Sequence, residues 1–161
     1  RGPKWLLWVA AALPSAVYED ANYDVIEAAA TGDAGALSLL IAKGRDLNRP
    51  VETNNGSPQT PVYAAVGNGH LEVLRLLVEK GNADVNQAAN MGTTPAFVAA
   101  EKGHLEVLRL LVEKGADLNR ANDYGTTPAF TAAENGHLEV LSVEKGADVN
   151  RAREDGTTPA F

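Results

Sequence analysis

The chain has 161 residues, 45% hydrophobic and 22% charged, values near those of ordinary globular proteins, which excludes wholesale disorder. Its formal net charge of −7 argues against nucleic acid as a partner, because phosphate binding runs on clustered Lys and Arg, and it favours a protein partner with a basic or apolar surface. Cysteine is absent, which excludes disulfides, thiolate zinc sites and cysteine nucleophiles.

Residues 1–21 stand apart in composition. Trp5-Leu6-Leu7-Trp8-Val9-Ala10-Ala11-Ala12-Leu13 is apolar all round, follows Arg1 and Lys4, and holds both tryptophans of the chain. It is too short to span a bilayer, which takes about 20 residues. Three readings stand for it: a cap or docking element on the first unit, contact with a membrane surface, where Trp is at home, or the remnant of a targeting segment. Trp5 and Trp8 are the candidate docking residues.

Residues 22–55 read as a degenerate unit followed by a long loop. Ala28-Ala29-Ala30-Thr31-Gly32-Asp33 suggests the end of a first helix and a turn, Leu37 to Lys43 a second helix, and Gly44-Arg45-Asp46-Leu47-Asn48 an exit. The loop from Arg49 to Gln59, rich in Pro, Asn, Ser and Gly, is longer than the later turns and is a candidate for a mobile or partner-contacting finger. Asn55-Gly56-Ser57 matches a glycosylation sequon, but Pro58 follows it and a plain turn is the better reading.

From residue 56 onward the chain repeats itself. Gly-His-Leu-Glu-Val-Leu recurs with its histidine at His70, His104 and His137. Thr-Pro precedes it at Thr60, Thr94 and Thr127 and returns at Thr158, so the threonines are spaced 34, 33 and 31 apart. Full units are expected at 56–91, 92–124 and 125–155, with 156–161 beginning a further one. Within a unit, Thr94 is placed to N-cap a short helix with Pro95 at its first position, and Gly103 to end it in a left-handed conformation. A second helix is predicted from about His104 to Lys114, with Glu106, Arg109 and Glu113 on a solvated face and Leu105, Leu108, Leu111 and Val112 opposite. Helices of about ten residues are marginal alone and need neighbours to stack against.

Residues 92–119, Gly-Thr-Thr-Pro-Ala-Phe-Val-Ala-Ala-Glu-Lys-Gly-His-Leu-Glu-Val-Leu-Arg-Leu-Leu-Val-Glu-Lys-Gly-Ala-Asp-Leu-Asn, closely resemble the ankyrin repeat, and the resemblance covers about residues 22–161. It implies an all-α solenoid of stacked helix-turn-helix units joined by hairpin-like loops. One departure recurs: where the family carries Thr-Pro-Leu-His, this chain has Val62-Tyr63, Ala96-Phe97, Ala129-Phe130 and Ala160-Phe161. An aromatic replaces the histidine that ties adjacent loops, so apolar packing is expected to take over, with some loss of loop rigidity.

Two irregularities break the ladder. Asn82 is an extra residue in the return of the 56–91 unit. In the 125–155 unit, Val140-Leu141-Ser142-Val143 stands where Val107 to Val112 stood, two residues short. Two residues are about 3 Å of rise and 200° of rotation, which would turn Glu144 and Lys145 inward unless the helix bulges or shortens. The chain begins at Arg1 and stops at Phe161, inside a new first helix, and reads as part of a longer protein or as one whose last face is covered otherwise.

No catalytic, cofactor or metal site is expected. Histidines at equivalent positions of successive units sit roughly 8–10 Å apart, a helix-packing separation, whereas metal ligands must converge on one ion. No phosphate loop or nucleophile elbow occurs. Neither a small-molecule substrate nor an enzymatic activity follows.

Binding is the remaining class. Differences between near-identical units fall at Asn90/Asp123/Glu154, Met91/Tyr124/Asp155, Val98/Thr131 and Lys102/Asn135. By resemblance to ankyrin domains these are turn tips and the outer face of the first helix, which line the groove that receives partners. Tyr124 and Met91 are candidate apolar anchors, and Asp123, Glu154 and Asp155 an acidic rim. The expected function is a non-catalytic scaffold or adaptor. The alternative is a structural accessory subunit of a larger assembly, membrane-bound or not, docked through its Trp-rich start and open C-terminal face. Intracellular surroundings are favoured, with organellar or membrane association left open.

Overall fold

Thr-Pro decides where three of the first helices begin. In the computed structural model, which describes residues 23–52, 57–142 and 156, the Oγ1 atoms of Thr60, Thr94 and Thr127 accept from the backbone N–H of Tyr63, Phe97 and Phe130 at 3.1, 3.2 and 3.1 Å. All three threonines are buried, so the cap also satisfies a hydroxyl that would otherwise lose its water without compensation. Proline follows at the first helical position, where its missing N–H is no loss.

Eight α-helices form among the described residues. They are α1 (Tyr23–Thr31), α2 (Ala34–Ala42), α3 (Pro61–Gly67), α4 (Leu71–Glu79), α5 (Pro95–Lys102), α6 (Leu105–Glu113), α7 (Pro128–Glu134) and α8 (Leu138–Leu141). The first helices α1, α3, α5 and α7 touch one another in order, as do the second helices α2, α4, α6 and α8. The result is a two-layer stack of helix pairs, as the period and the resemblance implied. Paired alanines permit the close approach of the first row: Ala29, Ala65, Ala99 and Ala132 are fully buried. Leu37, Leu74, Leu77, Leu108, Leu111 and Leu118 fill the space between the rows.

The turn between the two helices of a unit is the same four times. Asp33, His70, His104 and His137 donate their backbone N–H to Ala28, Ala65, Ala99 and Ala132, at 2.8–2.9 Å. The side chains then diverge. Asp33 Oδ1 caps its own second helix by accepting from Ala36 N at 2.8 Å, which starts α2 at Ala34 and not at Leu37 as expected. The histidines make no such cap. Instead, each ring lies over the glycine of the preceding unit's turn. A Cβ on Gly32 would lie 2.8 Å from His70 Nδ1, one on Gly69 3.1 Å from His104 Cε1, and one on Gly103 2.7 Å from His137 Nδ1. His70 Nε2–H donates to Ala30 O at 3.0 Å, and since a carbonyl only accepts, that nitrogen carries the proton.

The exits are joined by a second series. Asp46, Asp84 and Asp117 each accept from the N–H two residues on, at 2.9, 2.8 and 2.8 Å, which sets an Asx turn. Asn48 Oδ1 accepts from Asp84 N at 2.7 Å, Asn86 Nδ2 donates to Gly115 O at 3.1 Å, and Arg120 Nη1 donates to Asn86 O at 3.0 Å, so each exit is tied to the next.

The irregularities resolve locally. The extra Asn82 adopts φ +55, a left-handed conformation that Asn tolerates. Gly81 before it is needed for room, since a Cβ there would run into Leu47 Cδ1 and the Leu77 carbonyl. Part of the segment expected as a free finger is an antiparallel hairpin, with β1 (Val51–Glu52) paired to β2 (Pro58–Gln59) and Val51 buried. The sequon residues Asn55 and Gly56 lie outside the described residues. The two-residue gap shortens the last second helix: α8 has four residues where α6 has nine, and Ser142 follows. Glu144 and Lys145 lie outside the described residues. Tyr63 and Phe97 are half-buried and Phe130 is buried, so the aromatics do pack where the family has histidine.

Two outcomes follow. Thr94→Ala is expected to lower unfolding free energy by about 1 kcal/mol, and Thr94→Ser by much less, as read in urea titrations. Gly44 and Gly103 share φ values of +71 and +70, but only Gly103 has an imidazole in the way. Gly44→Ala should therefore cost only the left-handed penalty, roughly 1–2 kcal/mol, and Gly103→Ala clearly more. Equal losses at the two sites would show that the His137 contact contributes nothing.

Candidate functional site

The tips are built to hold their shape. The first is a 3-10 turn at Asn90–Gly92, closed by Ala89 N–H to Thr93 O at 2.9 Å, with Met91 itself left-handed at φ +58. In the second, Asn122 Oδ1 accepts from both Tyr124 N and Thr126 N at 3.0 Å, while Asn122 N donates to Thr126 O at 2.9 Å. The tips are linked directly: Asp123 N donates to Met91 O at 2.9 Å. Gly92 makes this approach feasible, since a Cβ there would lie 2.6 Å from Asp123 Oδ1. A backbone bond thus performs the loop-to-loop tie that the sequence pattern left to apolar packing. Asn90 Nδ2 extends the series the other way, donating to Ser57 Oγ at 2.9 Å.

On this platform Tyr124 OH donates to Met91 Sδ at 3.1 Å, and both side chains remain exposed, at 55% and 57%. The contact orients two large apolar groups side by side. Asp123, also exposed, stands next to them.

Below the tips a groove of about 230 Å³ opens between consecutive first helices, lined in part by Gln59, Tyr63, Val98, Glu101 and Lys102. Burial raises the Tyr63 phenol above its ordinary value, and the Glu101 carboxylate adds to the rise by disfavouring a second negative charge. Sequence reasoning named Tyr63 only as an aromatic in place of histidine and passed over Glu101. The only signal was that Tyr63 breaks an otherwise Phe-containing series.

The candidates therefore separate. Asn90, Met91, Asp123 and Tyr124 come together on the tips. Val98 and Thr131, expected on the outer face of the first helix, are each only 5% exposed; Val98 lines the groove and Thr131 is buried. Lys102 and Asn135 are exposed but engaged. Lys102 Nζ donates to Gly67 O at 2.8 Å and Asn135 Nδ2 to Glu101 O at 3.3 Å, so two different side chains at one repeat position serve the same end, satisfying a carbonyl at the C-terminal end of the neighbouring first helix. Glu154, Asp155, Trp5 and Trp8 lie outside the described residues. Among the described residues no group of three or more His, Asp or Glu could hold a metal ion, and no helix is long and apolar enough to cross a membrane.

The family model for ankyrin repeats in three copies matches residues 25–122 and 90–153. The chain is also similar to the sex-determining protein fem-1 of Caenorhabditis elegans, 37% identical over 76 residues, a stretch that covers 45% of this chain and 12% of that protein. The chain thus spans only a small part of that relative's length. The four-fold turn, the Thr-Pro caps and the stacked helix pairs agree with the family match, and the chain belongs to the ankyrin-repeat family, whose stacked units are a protein–protein interaction fold.

Proposed function

We propose that the chain is a non-catalytic protein-binding module that takes its partner across the turn tips and the adjoining first-helix face. The observation that carries this reading is the exposed Met91–Tyr124 couple, oriented by its own hydrogen bond and held on tips tied by backbone. Tyr loses little conformational freedom on binding and is enriched among residues that dominate interface energies, while Met adapts to irregular partner surfaces. Asn90 and Asp123 border the couple. Glu101 in the groove and the net charge of −7 favour a partner with a basic or apolar surface over nucleic acid. Lys102 and Asn135 contribute by fixing the spacing of the first helices, and Val98 by lining the groove. Glu154 and Asp155 continue the same repeat positions along the sequence.

A second reading, the accessory subunit docked by its ends, draws on Leu39 and Leu138, exposed at 66% and 57% in the first and last described units.

The variant Met91→Ala/Tyr124→Ala separates the two. Both residues are at the surface, so unfolding free energy should change by no more than about 0.5 kcal/mol per site. Affinity for a partner captured by the wild type should fall by roughly 30-fold or more, the equivalent of at least 2 kcal/mol. Retained affinity removes the tip reading. Loss only in Trp5→Ala/Trp8→Ala supports end-docking. With a basic partner, raising salt should slow association at the tips more than it speeds release, as measured by stopped-flow or surface-based kinetics.

A further inference from the structure

The open face of the first unit carries a groove of about 680 Å³ between α1 and α2, lined by residues that include Glu27, Ala28, Ala36, Leu39 and Leu40. Equivalent positions in the inner units tell what this face requires. Leu39 corresponds to Leu76 and Leu110, and Ala36 to Val73 and Val107. Leu39 is 66% exposed, Leu76 is half-buried and Leu110 is 3% exposed; Ala36 is half-buried, whereas Val73 and Val107 are buried. The position of Leu39 is thus one that the inner units bury in part or in full.

We propose that residues 5–13 of this same chain cover that groove, with Trp5 and Trp8 seated against Leu39 and the α1–α2 cleft. Four observations meet in this assignment. The segment Trp5 to Leu13 is apolar throughout, and its nine residues equal the length of α1 or α2. It connects to the groove directly, since α1 begins at Tyr23 and Asp24 lines the groove's edge. The nine residues from Pro14 to Asn22 reach up to about 30 Å extended, ample to fold back along a nine-residue helix of about 13 Å. The charges bear on it as well: Arg1 and Lys4 precede the segment, and Glu27 lines the groove beside Asp24, which pairs with Arg45 at 3.3 Å, Asp33, which caps α2, and Lys43. Each indole buries 150–250 Å² when covered, a large share of what a missing neighbour would supply.

Trp5 and Trp8 are the only tryptophans, so intrinsic fluorescence reports on this segment alone. In dilute, lipid-free solution the full chain should emit to the blue of N-acetyltryptophanamide and resist acrylamide quenching. Leu39→Asp, at an exposed site, should leave far-UV circular dichroism unchanged, move the emission to the red and raise quenching toward the free-indole level. Glu27→Arg should shift both in the same direction by a smaller amount. Wild-type emission equal to the free indole overturns the proposal. So does protected emission that Leu39→Asp leaves unaltered, protection that vanishes on dilution (a second copy is the cover), or protection that appears only with phosphatidylserine vesicles (a membrane surface is the cover).

Discussion

The stack depends on one contact repeated three times: an imidazole laid over a glycine of the preceding unit's turn. Gly32 receives His70, Gly69 receives His104 and Gly103 receives His137. Each of these glycines is constrained twice, by its positive φ and by the ring that fills the space of a Cβ. The Gly-His pair therefore faces both ways along the solenoid: Gly69 accepts the ring of the next unit while His70 covers the turn of the previous one. No helix in the stack exceeds nine described residues, and helices of that length are marginal alone in water. The pitch from unit to unit is what makes them stable, and the Gly-His relay sets that pitch at the turn, where helix-row packing has least to hold.

Asp33 shows the rule by departing from it. In the first described unit the residue at the histidine position turns back to cap its own helix. The same logic assigns the other polar side chains. Asn48, Asn86 and Arg120 bind adjacent exits, and Lys102 and Asn135 bind carbonyls of the neighbouring first helix. Beyond those groups, Met91, Tyr124 and Asp123 stay exposed on the tips.

Much of this was legible. The Thr-Pro caps, the helix pair, the glycine that ends the first helix and the four-unit ladder all follow from local rules, because capping and left-handed turns are decided by one or two residues. The tip candidates were legible because they vary between otherwise identical units. Val98 and Thr131 are more buried than an outer-face position implies, for a definite reason. A first helix of seven or eight residues makes only two turns and is packed by neighbours before and behind, so its apolar arc is too wide to say which side is groove. Lys102 and Asn135 differ in type and length, yet both donate to the same kind of carbonyl, which no local pattern shows. The histidine's partner was out of reach, since nothing local to His70 points to a glycine 38 positions earlier. The hairpin at Val51–Gln59 was hidden because strands of two residues carry no period to read.

The shortened α8 tests whether the tips depend on the whole stack or on one row. In a repeat array each unit contributes its own stability and the terms at its two interfaces, so losing five residues of a second helix weakens the α6–α8 row. The first-helix row is untouched by the loss. Thr127 still caps α7, Ala132 is still fully buried against its neighbour, and Phe130 is 3% exposed where Tyr63 and Phe97 are only half-buried. Asp123 and Tyr124 enter α7 through Asn122, Thr126 and Thr127, and none of these bonds runs through the second-helix row. The tip pair is thus held by bonds of the tips themselves, which lead into α5 and α7. A deletion that looks disruptive in sequence falls on the layer the candidate surface does not use.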